Sequence, residues 1–169
     1  MRVSRRGYGF SLVEILISVI LVGLSVTALV FASNTFTMAN GAGADLSTGE
    51  FLLEQIREMT ALLPVRDPDV DTWTTLGLDT GDSVVGSYDD VDDFDGFNST
   101  TLGAPIDALG NPLSDLAAFS QVVTVAKVNP SDFNHIEADS FDTPFIRVTV
   151  QVALNGREIC SASWIRANY

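Results

Sequence analysis

The sequence of 169 residues is poor in cysteine and in basic residues, and each shortage excludes a class of structure or function. Cys160 is the only cysteine, so no disulfide can form within the chain. Nine Lys and Arg stand against 22 Asp and Glu, which gives a formal net charge of −13. Nucleic-acid binding needs a basic surface that neutralises phosphates, and this balance of charge argues against it.

Signals of catalysis are also scarce. His135 is the only histidine, and neither it nor Cys160 lies within a catalytic signature. The sequence has no glycine-rich phosphate loop, no Cys-x-x-Cys pair and no nucleophile elbow. A Ser-His-Asp arrangement formed in space around His135 stays open at this point. The sequence therefore predicts a protein that is not an enzyme.

Charge is missing from one long apolar run except at a single position. Between Phe10 and Ala32 the only ionisable residue is Glu14, and the next one along the chain is Asp45. About 23 helical residues rise roughly 35 Å, which is enough to cross a hydrocarbon core of about 30 Å. Three arginines precede the run and no Lys or Arg follows it before Arg57. The positive-inside rule then places the N-terminus in the cytoplasm and the C-terminal domain on the other side.

The residues around the start of this run carry a more specific signal. They read Gly9-Phe10-Ser11-Leu12-Val13-Glu14, and this stretch resembles the class III signal of type IV prepilins and pseudopilins, G-F-[ST]-L-x-E, at every position. The resemblance implies that prepilin peptidase cleaves between Gly9 and Phe10 and methylates the new amino group of Phe10. A secretory signal would have a shorter apolar core before its cleavage site. A plain signal anchor would require neither Gly9 nor Glu14.

The presence of Glu14 in an apolar membrane segment requires an explanation, because a charged side chain at the centre of a membrane is disfavoured by about 3 kcal/mol on insertion scales. The family resemblance implies that Glu14 pairs with the Phe10 amino group of a neighbouring subunit, or with its own, during assembly. Glu14 would also interact favourably with the positive N-terminal end of its own helix. The two effects are compatible, but the second alone does not explain an acid in lipid.

A helical pattern continues beyond the membrane run. Glycines between residues 40 and 49 lower helix propensity, so the predicted helix over residues 11–62 has a weak or bent portion there. Pro64 ends the pattern. Four apolar residues at spacings of four, three and four share one face of this helix: Leu52, Ile56, Met59 and Leu63.

The last third of the sequence has the character of a β-sheet. Residues 119–128 are rich in valine, and residues 145–154 alternate strictly between apolar and polar side chains. Asn155-Gly156 is the strongest two-residue hairpin signal and leads into a strand over residues 158–166. We expect an antiparallel meander of at least three strands that covers the apolar helix face. Two cross-strand pairs are predicted in the hairpin: Ile159 opposite Val152, and Ile165 opposite Ile146.

The segment between helix and sheet is acidic and predicts loop, with short strands near Val84-Val85. Residues 89–95 hold five carboxylates, whose mutual repulsion a hard cation such as Ca²⁺ would relieve. The spacing departs from the EF-hand, because Phe94 lies where a ligand is needed and no Glu stands at the twelfth position. A solvated acidic loop is the alternative. The candidate metal ligands are Asp90, Asp92, Asp93 and Asp95.

This acidic stretch also resembles the D-D-V-D-D-[YF]-x-G stretch of minor pilins related to those of the mannose-sensitive haemagglutinin pilus. The expected fold class is α+β with the type IV pilin fold, in which a long N-terminal helix packs on a C-terminal antiparallel sheet. Five segments are expected: a leader peptide (1–9), a transmembrane and assembly helix (10–33), an amphipathic stalk helix (34–63), a variable acidic loop region (64–118) and the sheet (119–169).

The resemblance implies a minor type IV pilin that takes part in pilus assembly or adhesion. Its expected partners are prepilin peptidase, the assembly platform of the inner membrane and other pilins in a filament. The C-terminal domain would lie in the periplasm, and at the cell surface after assembly. No cofactor is expected apart from Ca²⁺ at the acidic stretch. Two alternatives stay open: a pseudopilin of type II secretion, and a membrane-anchored binding domain that does not polymerise.

Overall fold

A computed structural model of the chain describes residues 9–66, 75–79 and 84–168. Two units make up the chain, residues 1–43 and 44–169. A single α-helix of 51 residues, α1 (Leu12–Leu62), begins in the first unit and ends in the second. Its bounds agree with the predicted helix over residues 11–62. Residues 40–49, where the glycines predicted a weak or bent portion, are helical throughout.

The C-terminal end of α1 is held by a side chain from the sheet. The last carbonyls of a helix have no partner within the helix. The guanidinium of Arg166 donates to the carbonyl of Thr60 and, at 3.0 Å, to that of Leu63. Arg57, one turn earlier, lies 5.6 Å from the ring centre of Trp164. Side chains from the last strand thus position the end of α1 in the second unit.

Four antiparallel strands form one sheet in the order β2-β1-β3-β4. The fold is therefore α+β, and the expected antiparallel sheet is confirmed. The arrangement is not a simple meander, because β1 lies between β2 and β3. β2 was not predicted: its five residues are all exposed and lack an apolar alternation. The strands are β1 (Phe119–Asn129), β2 (Asp132–Ile136), β3 (Phe145–Leu154) and β4 (Arg157–Ala167).

The hairpin between β3 and β4 turns at Asn155-Gly156 as predicted. Both residues have positive φ, 51° and 79°, as a type I′ turn requires. The predicted pairs beyond the turn are wrong by one residue. Val152 lies opposite Cys160, and Ile146 lies opposite Arg166, because the register shifts between Val152 and Ala153. A β-bulge at this point adds one residue to β4.

The bulge lies where β4 meets α1. A Cβ atom on Gly49 would lie 2.7 Å from Cδ1 of Ile159 and 3.0 Å from Sγ of Cys160. Helix and strand therefore approach so closely that only glycine fits without movement. The alternation of apolar and polar residues in the sequence gives no sign of this contact, because the contact depends on both the bulge in β4 and the position of α1.

The core lies between α1 and the sheet and includes part of the acidic segment. Leu52 and Ile56 of α1 are fully buried, and Met59 of α1 and Leu63, just after its end, pack partly buried against the core, as predicted. The strands contribute buried valines and one isoleucine: Val123, Val125, Ile146, Val148, Val150 and Val152. The segment predicted as loop contributes further buried residues: Val65, Val91, Phe94, Phe97 and Ile106.

Short 3₁₀ helices, not strands, organise the segment between α1 and the sheet. The predicted strand near Val84-Val85 is wrong, because residues 85–87 form a 3₁₀ turn. The four such turns in the described part of the chain are Val85–Ser87, Asp92–Phe94, Ser99–Leu102 and Ser114–Leu116. Phe94 in the second turn and Phe97 just after it are buried, which explains why a segment with little periodicity is still ordered.

Candidate functional site

The predicted cleavage site lies in exposed chain just before α1. Gly9 and Phe10 are not helical, and both are exposed. Phe10 is 78 % exposed, and a Cβ atom on Gly9 would meet nothing within 4 Å. The peptide bond between these two residues is therefore open to a protein that binds the chain from outside.

Ser11 caps the helix that follows. Its Oγ and its carbonyl accept the backbone N–H of Glu14 at 3.2 and 3.0 Å. This is the arrangement of an N-cap serine, and Ser11 and Glu14 have the S-x-x-E spacing of a capping box. The sequence reasoning assigned Ser11 only to the signal and missed this role, although the spacing was readable.

The carboxylate of Glu14 stands apart from this cap. Glu14 is exposed and makes no ion pair with the described residues. Its side chain lies in the first turn of α1, where the unpaired N–H groups favour an anion. The structure thus leaves the carboxylate accessible to a cation that another group supplies.

The first part of α1 is long and apolar enough to cross a membrane, judged by length and composition. An 18-residue window reaches a mean hydropathy of 2.7, and none of it is buried. All side chains from residue 9 to residue 44 are exposed. Beyond the cap residue Ser11, the hydroxyl groups within the run need no outside partner, because each donates to the carbonyl four residues earlier: Ser18, Ser25 and Thr27.

The acidic stretch forms a buried turn, defined here as the acidic turn, residues 89–95. Asp90, Asp92 and Asp93 are 0, 7 and 1 % exposed, so the alternative of a solvated loop does not hold for these three. Asp90 Oδ1 accepts the backbone N–H groups of Asp92 and Asp93 at 2.7 and 3.2 Å. Asp93 Oδ2 accepts that of Asp89 at 3.0 Å. The two carboxylates therefore satisfy backbone N–H groups within the acidic turn.

The acidic turn also covers the free edge of β1. β2 pairs only with the end of β1, at Val128 and Asn129. Further along the same edge, alternate N–H groups of β1 are met by the acidic turn and the residues after it. Three such bonds are formed: Val125 to Asp95 Oδ1 at 2.8 Å, Val123 to the Phe97 carbonyl at 2.9 Å, and Gln121 to Ser99 Oγ at 2.8 Å.

Charge in this region is partly balanced by a buried lysine. Lys127 of β1 has no exposed surface. Burial lowers the pKa of Lys127, and the negative charges of Asp139, Asp92 and Asp142 oppose that shift. Burial likewise raises the pKa of Asp93, with the nearby Asp90 adding to the increase. Both shifts reflect charges held away from water.

The four predicted metal ligands share this turn, and three of them, Asp90, Asp93 and Asp95, accept backbone N–H groups. Among the described residues, no group of three or more His, Cys, Asp or Glu is placed to hold a metal ion. Asp90 Oδ2 is buried without a hydrogen-bond partner, the one such side-chain atom in the described part of the chain. Ca²⁺ binding by Asp90, Asp92, Asp93 and Asp95 stays a prediction, and Asp90 Oδ2 is its strongest support.

Cys160 and His135 lie apart from each other in the sheet. Cys160 on β4 is half-buried and unpaired, and burial raises the pKa of its thiol, with Glu50 and Glu158 adding to the increase. A raised thiol pKa is the opposite of what a nucleophilic cysteine needs. His135 is exposed on β2, 3.7 Å from the carboxylate of Glu137. Neither residue forms part of a catalytic arrangement within the described ranges.

No family model matches the chain, and no curated protein or solved structure matches it either.

Proposed function

We propose that the protein is a minor type IV pilin, a structural subunit inserted in the inner membrane, cleaved and N-methylated by prepilin peptidase, and assembled with other pilins. One observation carries the proposal: the first part of α1 contains an 18-residue window with a mean hydropathy of 2.7, and no residue of that window is buried. Exposed apolar surface of this extent needs lipid or other helices around it. A membrane supplies lipid before assembly, and a filament of pilins supplies helices afterwards.

The processing step uses Gly9 and Phe10. Their exposure before the first helical residue suits a protease that binds extended chain. Gly9 has no Cβ, so its backbone can pass through a narrow site. Cleavage leaves Phe10 as the new N-terminus and keeps the whole apolar helix on the mature protein.

The assembly step uses Glu14. The amino group of a new N-terminus has an ordinary pKa near 8, so at neutral pH it is mostly a cation. In a medium of low dielectric, an ammonium group and a carboxylate attract strongly, and either one left unpaired is costly. A Phe10 amino group of a neighbouring subunit would pair with the exposed Glu14 carboxylate.

The remainder of the fold is compatible with this role. The second unit combines the C-terminal part of α1 with a four-stranded antiparallel sheet. This is the α+β layout that the type IV pilin fold requires. Pilins that close their C-terminal region with a disulfide have two cysteines there. In this chain, by contrast, the Arg166 contacts with the end of α1 fix the last strand.

The direct test is the intact mass and N-terminal fragmentation of the protein purified from its native membrane. We expect a chain that begins at N-methyl-Phe10. A chain that begins at Met1, in cells with active prepilin peptidase, would contradict the proposal and leave an uncleaved anchored domain. Recovery in sheared surface filaments separates a pilin from a pseudopilin, whose assembly stays in the periplasm.

A pair of variants tests the role of Glu14. Glu14→Gln keeps the size of the side chain and removes its charge, so we expect normal processing and loss of incorporation into filaments. Ser11→Ala is the matched control, because it removes the helix cap, worth about 1 kcal/mol, and keeps the carboxylate. We expect Ser11→Ala to be incorporated. Incorporation of Glu14→Gln at the level of the wild type would refute the ion-pair role.

A further inference from the structure

A small cavity opens beside the acidic turn in the second unit. It has a volume of about 220 Å³, below the range of about 300–1,000 Å³ typical of pockets for drug-sized ligands and cofactors. A single side chain is a better match for this volume. Six of its lining residues are apolar or aromatic: Leu78, Val84, Val85, Tyr88, Phe97 and Leu102.

Several apolar side chains that line the cavity are also exposed to solvent. Leu78 is 51 % exposed, Val84 63 % and Leu102 47 %. Three exposed aliphatic side chains around one opening form an apolar patch of the kind that marks interaction sites. The patch lies on the domain and not on the apolar run of α1.

The polar side chains among the described lining residues are either negatively charged or uncharged. Asp95 lines it, and only Oδ1 of its carboxylate is used, by the N–H of Val125. Oδ2 of Asp95 carries no hydrogen bond within the described part of the chain. Asp79 and Asp89, each next in sequence to a lining residue, are both exposed. None of the described lining residues is basic.

We propose that this cavity receives an arginine side chain of a partner polypeptide. The methylene arm of an arginine packs along aliphatic walls while its charged end meets a carboxylate, and its planar guanidinium stacks on aromatic rings such as Tyr88 and Phe97. An anionic ligand would be repelled by Asp95 and the exposed aspartates around it. A purely apolar group would remove Asp95 Oδ2 from water without a partner, which is costly.

This inference goes beyond the proposed function and does not depend on processing or filament assembly, because every cavity residue belongs to the second unit. It can be tested on the full chain in detergent micelles. The probe is acetyl-Leu-Arg-Leu-amide, and the matched peptide carries citrulline in place of arginine, which has nearly the same shape without the charge. Binding is followed by the NMR shifts of the methyl groups of Leu78, Val84 and Val85.

We expect the arginine peptide to shift these methyl signals saturably and to bind about tenfold more tightly than the citrulline peptide, as a charge-assisted hydrogen bond implies. Asp95→Asn should abolish this preference because it removes the negative charge. The variant should still fold, since the amide oxygen can accept the N–H of Val125. Leu102→Lys, which adds a positive charge at the rim, should weaken binding of the arginine peptide. Leu46→Lys is the control, a change at an exposed leucine of α1 that does not line the cavity.

Equal affinity for the two peptides, or methyl signals that do not shift saturably with either, would overturn the proposal. So would an arginine preference that survives Asp95→Asn. If Asp95→Asn loses the fold, Leu102→Lys alone decides: unchanged binding of the arginine peptide to this variant contradicts the proposed site.

Discussion

Gln121 offers the sharpest test of how the second unit is held together. Its side chain has no exposed surface. Its Oε1 accepts the N–H of Ile106 at 2.8 Å, and its Nε2 donates to the carbonyls of Leu52 at 2.8 Å and Ile106 at 3.1 Å. One amide therefore links α1, the segment before the sheet and β1. We predict that Gln121→Leu destabilises the unit severely.

The magnitude follows from the groups that lose their partner. Gln121→Leu removes three buried hydrogen bonds, each with a net value of about 1 kcal/mol, and leaves the buried N–H of Ile106 unsatisfied. The Leu52 carbonyl can keep its bond within the helix, which limits the loss there. We expect a decrease in the free energy of unfolding of about 3 kcal/mol. Leucine fills most of the volume of glutamine, so a cavity adds little.

Urea unfolding of the full chain in micelles, followed by tryptophan fluorescence, measures this loss. With a slope of about 1–3 kcal/mol per molar urea, the midpoint should fall by at least about 1 M. Gln151→Leu is the matched control, because it is the same substitution at an exposed position of β3. It should alter stability by less than about 0.5 kcal/mol. Equal losses in the two variants would refute the assignment of Gln121 as a buried link.

Three further predictions concern the packing and charge of the same unit. Gly43→Ala, which meets nothing within 4 Å, should raise the free energy of unfolding by about 0.5–1 kcal/mol because alanine favours a helix. Gly49→Ala should lose part or all of that gain, because its Cβ would lie 2.7 Å from Cδ1 of Ile159 and 3.0 Å from Sγ of Cys160. Thermal unfolding compares the two variants, and an equal gain in both would contradict the close contact at Gly49. Because the pKa of Asp93 is raised above its ordinary value of 3.8, its charge destabilises the fold above the folded pKa, and this loss is recovered as pH falls toward 3.8. The free energy of unfolding of the wild type minus that of Asp93→Asn should therefore increase as the pH is lowered from 7 to 4 in urea titrations. A difference that does not change with pH would contradict the raised pKa of Asp93. If the acidic turn binds Ca²⁺, a concentration of 100 times Kd should stabilise the wild type by about 2.7 kcal/mol over a chelator, and Asp90→Asn should remove the effect; identical melting with Ca²⁺ and with chelator would exclude the site.

Local patterns were sufficient to predict the elements that bury one face. The bounds of α1 follow from its apolar spacing and from Pro64, and β3 was predicted at residues 145–154, where it lies. The Asn155-Gly156 turn was equally readable, because a type I′ turn needs positive φ at both positions. Each of these signals is contained within one segment and needs no distant partner.

Features that depend on distant partners could not be predicted in this way. The bulge in β4 is tied to the close approach of Gly49, which lies more than a hundred residues away in sequence. The burial of Asp90 and Asp93 depends on backbone N–H groups that the acidic turn itself presents once it is folded. From sequence alone, five carboxylates in seven residues predict repulsion and solvent, whereas in the fold Asp90, Asp93 and Asp95 accept backbone N–H groups, and Asp95 does so at the edge of β1.

Ser11 and Glu14 illustrate how a short motif divides two tasks between two side chains. A glutamate in the first turn of a helix commonly has one of two local roles: its carboxylate caps the helix, or it interacts with the helix dipole. Here the backbone N–H of Glu14 is already satisfied by Ser11 Oγ and the Ser11 carbonyl. In a complete capping box the carboxylate would accept the backbone N–H of Ser11, but the described part of the chain forms no such bond, and the carboxylate is exposed near the start of the helix. A serine cap together with an unengaged acid is what a helix needs if its acid is to accept a cation from a different chain.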